Sequence, residues 1–98
     1  MSKQKLIRLR VDDKLFTISQ TCLDKFQDNS FNKSLKGTEY DFILNDNNAL
    51  YLDMNPLSLE VILNYLRGYQ INRNNINTNI LQMVNYDSIR LNLPELTK

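Results

Sequence analysis

Leu50-Tyr51-Leu52-Asp53-Met54-Asn55-Pro56-Leu57-Ser58-Leu59-Glu60-Val61-Ile62-Leu63-Asn64-Tyr65-Leu66-Arg67-Gly68 is the stretch whose pattern decides the fold. Its opening, from Ala49 to Met54, is strand-like. Asn55 is then a good N-cap, Pro56 suits the first helical position, and Met54 is placed to staple onto Leu59. Leu59, Ile62, Leu63 and Leu66 recur at i, i+3, i+4, i+7, and Leu57, Val61 and Tyr65 make a second apolar stripe beside them. Glu60, Asn64 and Arg67 supply the polar side. This spacing predicts a helix from Pro56 to Arg67, covered on most of its circumference and central to the domain. Gly68 ends it.

Upstream, the period changes. Ile7, Leu9 and Val11 alternate with Arg8 and Arg10, the signature of a half-buried strand. Asp12-Asp13 interrupts as a turn, and Lys14 to Ser19 resumes with Phe16 and Ile18 inward, predicting a β-hairpin. Thr21 and Asp24 then form a capping-box-like pair ahead of a short helix that buries Leu23 and Phe26. Asn29 or Ser30 caps a second short helix carrying Phe31 and Leu35, with Gly37 at its end. Tyr40 to Leu44 is strand-like again, and Asn45-Asp46-Asn47-Asn48 is turn chemistry. The predicted core is Phe16, Ile18, Leu23, Phe26, Leu59, Ile62, Leu63 and Leu66.

Downstream, Asn72 to Asn79 reads as a loop. Ile80, Leu81 and Val84 give one more helical face, and a short piece broken by Pro94 precedes Leu96. Strands first and then mostly helices predict an α+β fold, a single domain spanning residues 1–98 with no internal repeat or linker. The end at Lys98, just past the last predicted helix, suits a fragment of a longer protein.

Composition narrows the function. The chain has 98 residues, 12 Lys+Arg against 11 Asp+Glu, no histidine and one cysteine. Balanced charge gives no strong field toward nucleic acid or anionic lipid. The basic residues Lys3, Lys5, Arg8 and Arg10 therefore read as a solvated or subunit-facing surface before they read as a phosphate-binding one. A general acid–base of the histidine type is missing, and Cys22 has no histidine to lower its pKa, so catalysis is not expected. Two glycines cannot build a phosphate-cradling loop. Asp46 with Asn48 lacks the glycine and terminal glutamate of a calcium loop. No catalytic residue, cofactor site, metal site or small-molecule substrate is predicted. One thiol favours a reducing compartment, cytoplasmic or nuclear, and the Asn32-Lys33-Ser34 sequon is then incidental. Neither a signal peptide nor a membrane-spanning segment is read in this chain.

Two strings carry a family resemblance. Ile7-Arg8-Leu9-Arg10-Val11 followed by Lys14-Leu15-Phe16-Thr17-Ile18-Ser19, then Thr21, Leu23 and Phe26, resembles the opening of a BTB/POZ domain. Leu50 to Pro56, followed by Leu59-Glu60-Val61-Ile62-Leu63-Asn64-Tyr65-Leu66-Arg67-Gly68, is similar to the family's aromatic-x-Asp-Arg-Asp-Pro motif and the helix after it. The likeness is closest to the potassium-channel tetramerisation branch and its soluble KCTD relatives, and it runs from about Leu6 to Leu96. Three departures stand out. Asp12-Asp13 replaces the usual Gly-Gly hairpin turn, so that turn must differ or tolerate strain. Met54 replaces an arginine. The one-His, three-Cys zinc site of some channel members cannot form here.

The resemblance implies a BTB/POZ fold, a small β-sheet packed against a cluster of short α-helices. It also implies a protein–protein interaction domain that assembles with copies of itself into a closed ring of about four or five subunits. Subunits of this branch meet through charged and hydrogen-bonding side chains, not a greasy patch. The candidate interface residues are Arg8, Arg10, Asp12, Asp13, Asp53, Asn55 and Arg67. The alternative is an adaptor that docks a cullin-type ubiquitin ligase scaffold through Ser30–Gly37 and Gly68–Asn72. A nucleic-acid-associated protein is the third reading, which the charge balance disfavours.

Overall fold

The computed structural model describes residues 5–26, 28–37, 40–46 and 49–93. Strand β1 (Leu6–Val11) turns through Asp12-Asp13 into β2 (Lys14–Ser19), which runs into α1 (Gln20–Asp24) and then α2 (Ser30–Leu35). Strands β3 (Ile43–Asp46) and β4 (Ala49–Leu52) precede α3 (Pro56–Leu66), a 3-10 turn (Arg73–Asn75) and α4 (Thr78–Arg90). The sheet order is β2-β1-β4-β3, with β1 and β4 parallel at its centre and both outer pairs antiparallel. The result is a mixed four-strand sheet with short helices, the α+β architecture expected of a BTB/POZ fold.

The sheet's register follows from which side chains must leave water. Ile7 pairs with Ile18, Leu9 with both Phe16 and Leu50, and Ile43 with Leu52. All of these lie on one face, and a slip of one residue would turn every one of them into solvent. That face packs on Leu23 of α1, Phe31 of α2, the Leu59, Ile62, Leu63 and Leu66 stripe of α3, Val84 of α4, and Leu91 and Leu93 beyond it. The four α3 residues are wholly buried. At about 1.5–3 kcal/mol each, they contribute on the order of 6–12 kcal/mol of gross burial energy, an upper figure. Of the predicted core, Ile18, Leu23 and these four are buried, whereas Phe16 and Phe26 are half-buried against the same cluster.

Asparagine shapes the helix ends. Asn29, Asn55 and Asn77 are the N-caps of α2, α3 and α4, each side chain accepting a backbone N–H of the first turn. Asn29 is fully buried, and its amide also donates to the carbonyls of Leu23 (2.8 Å) and Phe26. It thereby wires the end of α1 to the start of α2. Gly68 (φ +100°) and Asn92 (φ +59°) close α3 and α4 in the same way. Tyr69 N–H bonds the Asn64 carbonyl at 3.0 Å, and Leu93 N–H bonds that of Ser88 at 2.8 Å. Both are Schellman closures around a left-handed residue.

The structure corrects five expectations. The cap of α1 is Ser19, not Thr21: its hydroxyl accepts from Cys22 N–H at 3.2 Å, while Thr21 lies exposed. A hydroxyl on the last extended residue of β2 reaches the orphan donors that Thr21, already inside the helix, cannot. Strand β3 starts at Ile43, because Asp41 and Phe42 form a turn and Tyr40 makes only an isolated bridge to Ile43. It also runs on through Asn45 and Asp46, which the sequence assigns to a turn. Helix α3 is covered on most of its circumference, but not along the second apolar stripe. Leu57 is 46% exposed, Val61 and Tyr65 are half-buried, and Ser58 is wholly buried instead. The stretch Asn72 to Asn79 is only partly a loop, since it holds the 3-10 turn and the first residues of α4. Asn47, Asn48, Lys3, Pro94 and Leu96 lie outside the described residues.

Candidate protein-interaction surface

Among the described residues, no element packs on the second face of the sheet. Because side chains alternate, burial of Ile7, Leu9 and Val11 forces Leu6, Arg8 and Arg10 outward, and burial of Ile18 does the same to Leu15 and Thr17. Register then lines these residues up across the strands. One row reads Leu15, Arg10, Tyr51, Leu44 from β2 to β3, and the next reads Thr17, Arg8, Ala49, Asp46. Leu6 is 63% exposed, Leu15 55%, Leu44 67% and Tyr51 39%. Between the rows lies a shallow depression of about 230 Å³, lined by Arg8, Arg10, Leu15, Asp46, Ala49 and Tyr51. At about 4.8 Å per strand the row is about 14 Å long, large enough for a protein surface and too flat to enclose a small molecule.

One end of this face is acidic. The parallel pairing of Arg10 with Tyr51 sets Asp12, at the hairpin tip, level with Asp53, just past β4. Asp13 stands beside Asp12, whose φ is +55°. The turn thus differs from a Gly-Gly turn by placing an aspartate in the left-handed region, which Asp tolerates better than most residues. Asn55 follows Asp53 closely, but its side-chain oxygen is engaged with Leu57 N–H at 2.8 Å.

Arg67 stands apart from the other six candidates. Its guanidinium donates to the Thr17 carbonyl at 2.7 Å and to Asn64 Oδ1 at 3.2 Å. It ties the end of α3 to β2 and occupies an acceptor on that edge strand, which discourages uncontrolled strand addition.

A buried polar network holds the acidic end in place. Asp87, 5% exposed, accepts from Ser58 Oγ at 2.7 Å and pairs with Arg90 at 2.9 Å. Arg90 also donates to the Asp53 carbonyl at 3.1 Å. Its guanidinium carbon lies 4.3 Å from the Phe42 ring centroid and 5.1 Å from that of Tyr86. Sequence reasoning missed this network because a buried Ser58 and Asp87 break the apolar pattern that locates helix faces.

It missed the exposed leucines for a simpler reason. The surface is not purely polar: Leu6, Leu15, Leu44 and Tyr51 put an apolar row beside the arginines. Once Phe16 and Ile18 are set inward, period-2 alternation turns Leu15 outward, so the signal was present. The Ser30–Gly37 half of the proposed cullin-docking surface also needs correcting. Ser30, Phe31, Asn32 and Ser34 are buried and Lys33 and Leu35 half-buried, so within this stretch only Lys36 and Gly37 are exposed. Gly68, Tyr69 and Gln70 are exposed. Cys22 is half-buried against Ser19.

Among the described residues no helix is long and apolar enough to cross a membrane. A comparison with curated proteins finds no match. A family model described as "BTB/POZ domain" matches residues 7–92, which takes in all four helices and, save Leu6, the whole sheet and its exposed face. Domains of this family are interaction modules, not catalysts. With nearly its full length matched, the chain belongs to the BTB/POZ domains of the potassium-channel tetramerisation type, a family of protein-interaction and oligomerisation modules.

Proposed function

We propose that this chain is a homo-oligomerisation scaffold whose copies close into a ring of about four or five subunits, and that assembly, not catalysis, is its activity. The observation that carries this is the open sheet face. Exposed Leu15, Tyr51 and Leu44 share one row with Arg10, and Arg8 and Asp46 flank them. An apolar strip rimmed by charge is the pattern of a surface that another protein covers. A standard interface takes about 800 Å² from each partner. Two such faces are roughly a quarter of the 6489 Å² this chain exposes, so a ring is within reach of so small a domain.

The charged residues Arg8, Arg10, Asp12, Asp13 and Asp53 set register and partner choice, while the leucines and Tyr51 supply affinity. Asn55 and Arg67 support this surface from its margins. The stretch 1–98 acts as one module, working in a reducing cytoplasmic or nuclear compartment that keeps Cys22 free. Light scattering across a concentration series tests the assembly. A defined multimer is expected, and a strict monomer at high concentration refutes it.

A further inference from the structure

We infer that Arg67 is a guard on the outer edge of β2, and that without it two copies of this chain join β2 to β2 as one continuous sheet. Strand β2 ends the sheet, so one side of its backbone has no neighbouring strand. Which groups lie on that side follows from the hairpin. Val11 and Lys14 flank the tight Asp12-Asp13 turn as a hydrogen-bonded pair, and bonded and unbonded pairs alternate from there. Leu15 and Thr17 therefore turn their N–H and C=O groups away from β1. The Thr17 carbonyl bears this out, since it accepts from the Arg67 guanidinium at 2.7 Å. Among the described residues the Thr17 N–H and both Leu15 groups have no partner.

Such an edge is its own complement. Set antiparallel to a second copy and centred on Phe16, it places Leu15 of each strand opposite Thr17 of the other. Each N–H then meets a carbonyl, and the two-fold arrangement needs no second kind of surface. Leu15 and Thr17 are exposed, so no core side chain has to move. Open edges of this kind are templates for association, and a charged side chain laid on one is a way of blocking it.

Arg67 takes the acceptor that the neighbour's Leu15 N–H would need. Displacing it breaks a charge-assisted hydrogen bond and gathers a guanidinium from each copy at one seam. Asn64 Oδ1, at 3.2 Å, steadies the side chain from α3. The opposite edge is covered differently. Strand β3 has four residues, and its Asn45 amide donates to the Ser34 carbonyl of α2 at 2.9 Å, so a helix end lies against it. Strand β2 has six residues, and the group bonded to its outer side is Arg67.

This edge is distinct from the open sheet face, so the test does not depend on the ring. Native mass is followed over a concentration series for the wild type, Arg67→Ala, and Arg67→Ala combined with Thr17→Pro, with circular dichroism to check folding. Proline at position 17 removes an N–H that β1 does not use, and so blocks strand addition while sparing the hairpin ladder. Arg67→Ala should associate beyond the wild-type species at a protein concentration at least about tenfold lower than the wild type needs, and the added proline should restore the wild-type mass. Amide exchange gives a readout that needs no proline: the Leu15 and Thr17 N–H groups should exchange at least about tenfold more slowly in Arg67→Ala than in the wild type. Arg67→Ala that keeps the wild-type mass throughout, larger species that survive the proline, or larger species in which those two amides gain no protection would each overturn the inference. A monomeric wild type refutes the ring alone, and the species expected of Arg67→Ala is then a dimer.

Discussion

Alanine at Asp87 should remove two supports at once. Its carboxylate is 5% exposed, accepts from the wholly buried Ser58 hydroxyl at 2.7 Å, and pairs with Arg90 at 2.9 Å. Stranding the Ser58 hydroxyl costs about 1–3 kcal/mol. Breaking a buried ion pair by deleting one partner costs about 3–5 kcal/mol. That figure shrinks here, because the Arg90 side chain is 25% exposed and keeps its bond to the Asp53 carbonyl and its place over Phe42. A net loss of about 3–4 kcal/mol follows for Asp87→Ala, and about 1.5–3 kcal/mol for Ser58→Ala, which removes a hydrogen bond to a charged acceptor. The two should not add. Once the carboxylate is gone, deleting the hydroxyl removes an unsatisfied group, giving a coupling of about 1–2 kcal/mol. Urea unfolding at one fixed protein concentration reads this as a midpoint lowered by roughly 1–3 M. A loss below about 1 kcal/mol for Asp87→Ala, or strict additivity with Ser58→Ala, would refute the network as described.

Three further outcomes follow from other parts of the molecule. Leu63→Ala, at a wholly buried position of α3, should cost about 2–5 kcal/mol in the same urea assay, and a loss under about 1 kcal/mol would mean the helix is not central. Asn92→Ala should destabilise by about 1 kcal/mol more than Asn92→Gly, since both lose the amide's bond to the Asp28 carbonyl (2.6 Å) but only alanine is strained at φ +59°; equal effects of the two in thermal melts would contradict the closure of α4. Leu15→Ser with Leu44→Ser should weaken assembly, measured by sedimentation, yet leave unfolding within about 0.5 kcal/mol of wild type, because both side chains are solvent-exposed. A large loss of stability with unchanged assembly would show the leucines to be core after all.

Much of this was legible where local chemistry and tertiary packing agree. Asn55-Pro56 and the Leu59, Ile62, Leu63, Leu66 stripe specify α3 without help from the rest of the chain. Ile7, Leu9 and Val11 specify β1 and the phase of its face. Helix α4 was harder, because two of its inward positions are Asp87 and Ser88, and because its first turn is drawn from an asparagine-rich run that resembles a loop. The end of α3's second stripe departs from its pattern for the converse reason: Leu57 looks like core, but the described residues cover it only in part and it is 46% exposed. Arg8, Arg10 and the acids Asp12, Asp13 and Asp53 could be named from alternation and turn chemistry. Their grouping along one face and one end could not, since it depends on the parallel β1–β4 register, a pairing between segments about forty residues apart that no local pattern encodes.

The most direct test is the native mass of the purified chain, followed from micromolar to millimolar protein. One discrete species at about four or five times the 11.6 kDa chain mass is predicted, holding its size as concentration rises. A persistent 11.6 kDa species, or an open-ended ladder of sizes, would contradict the closed assembly.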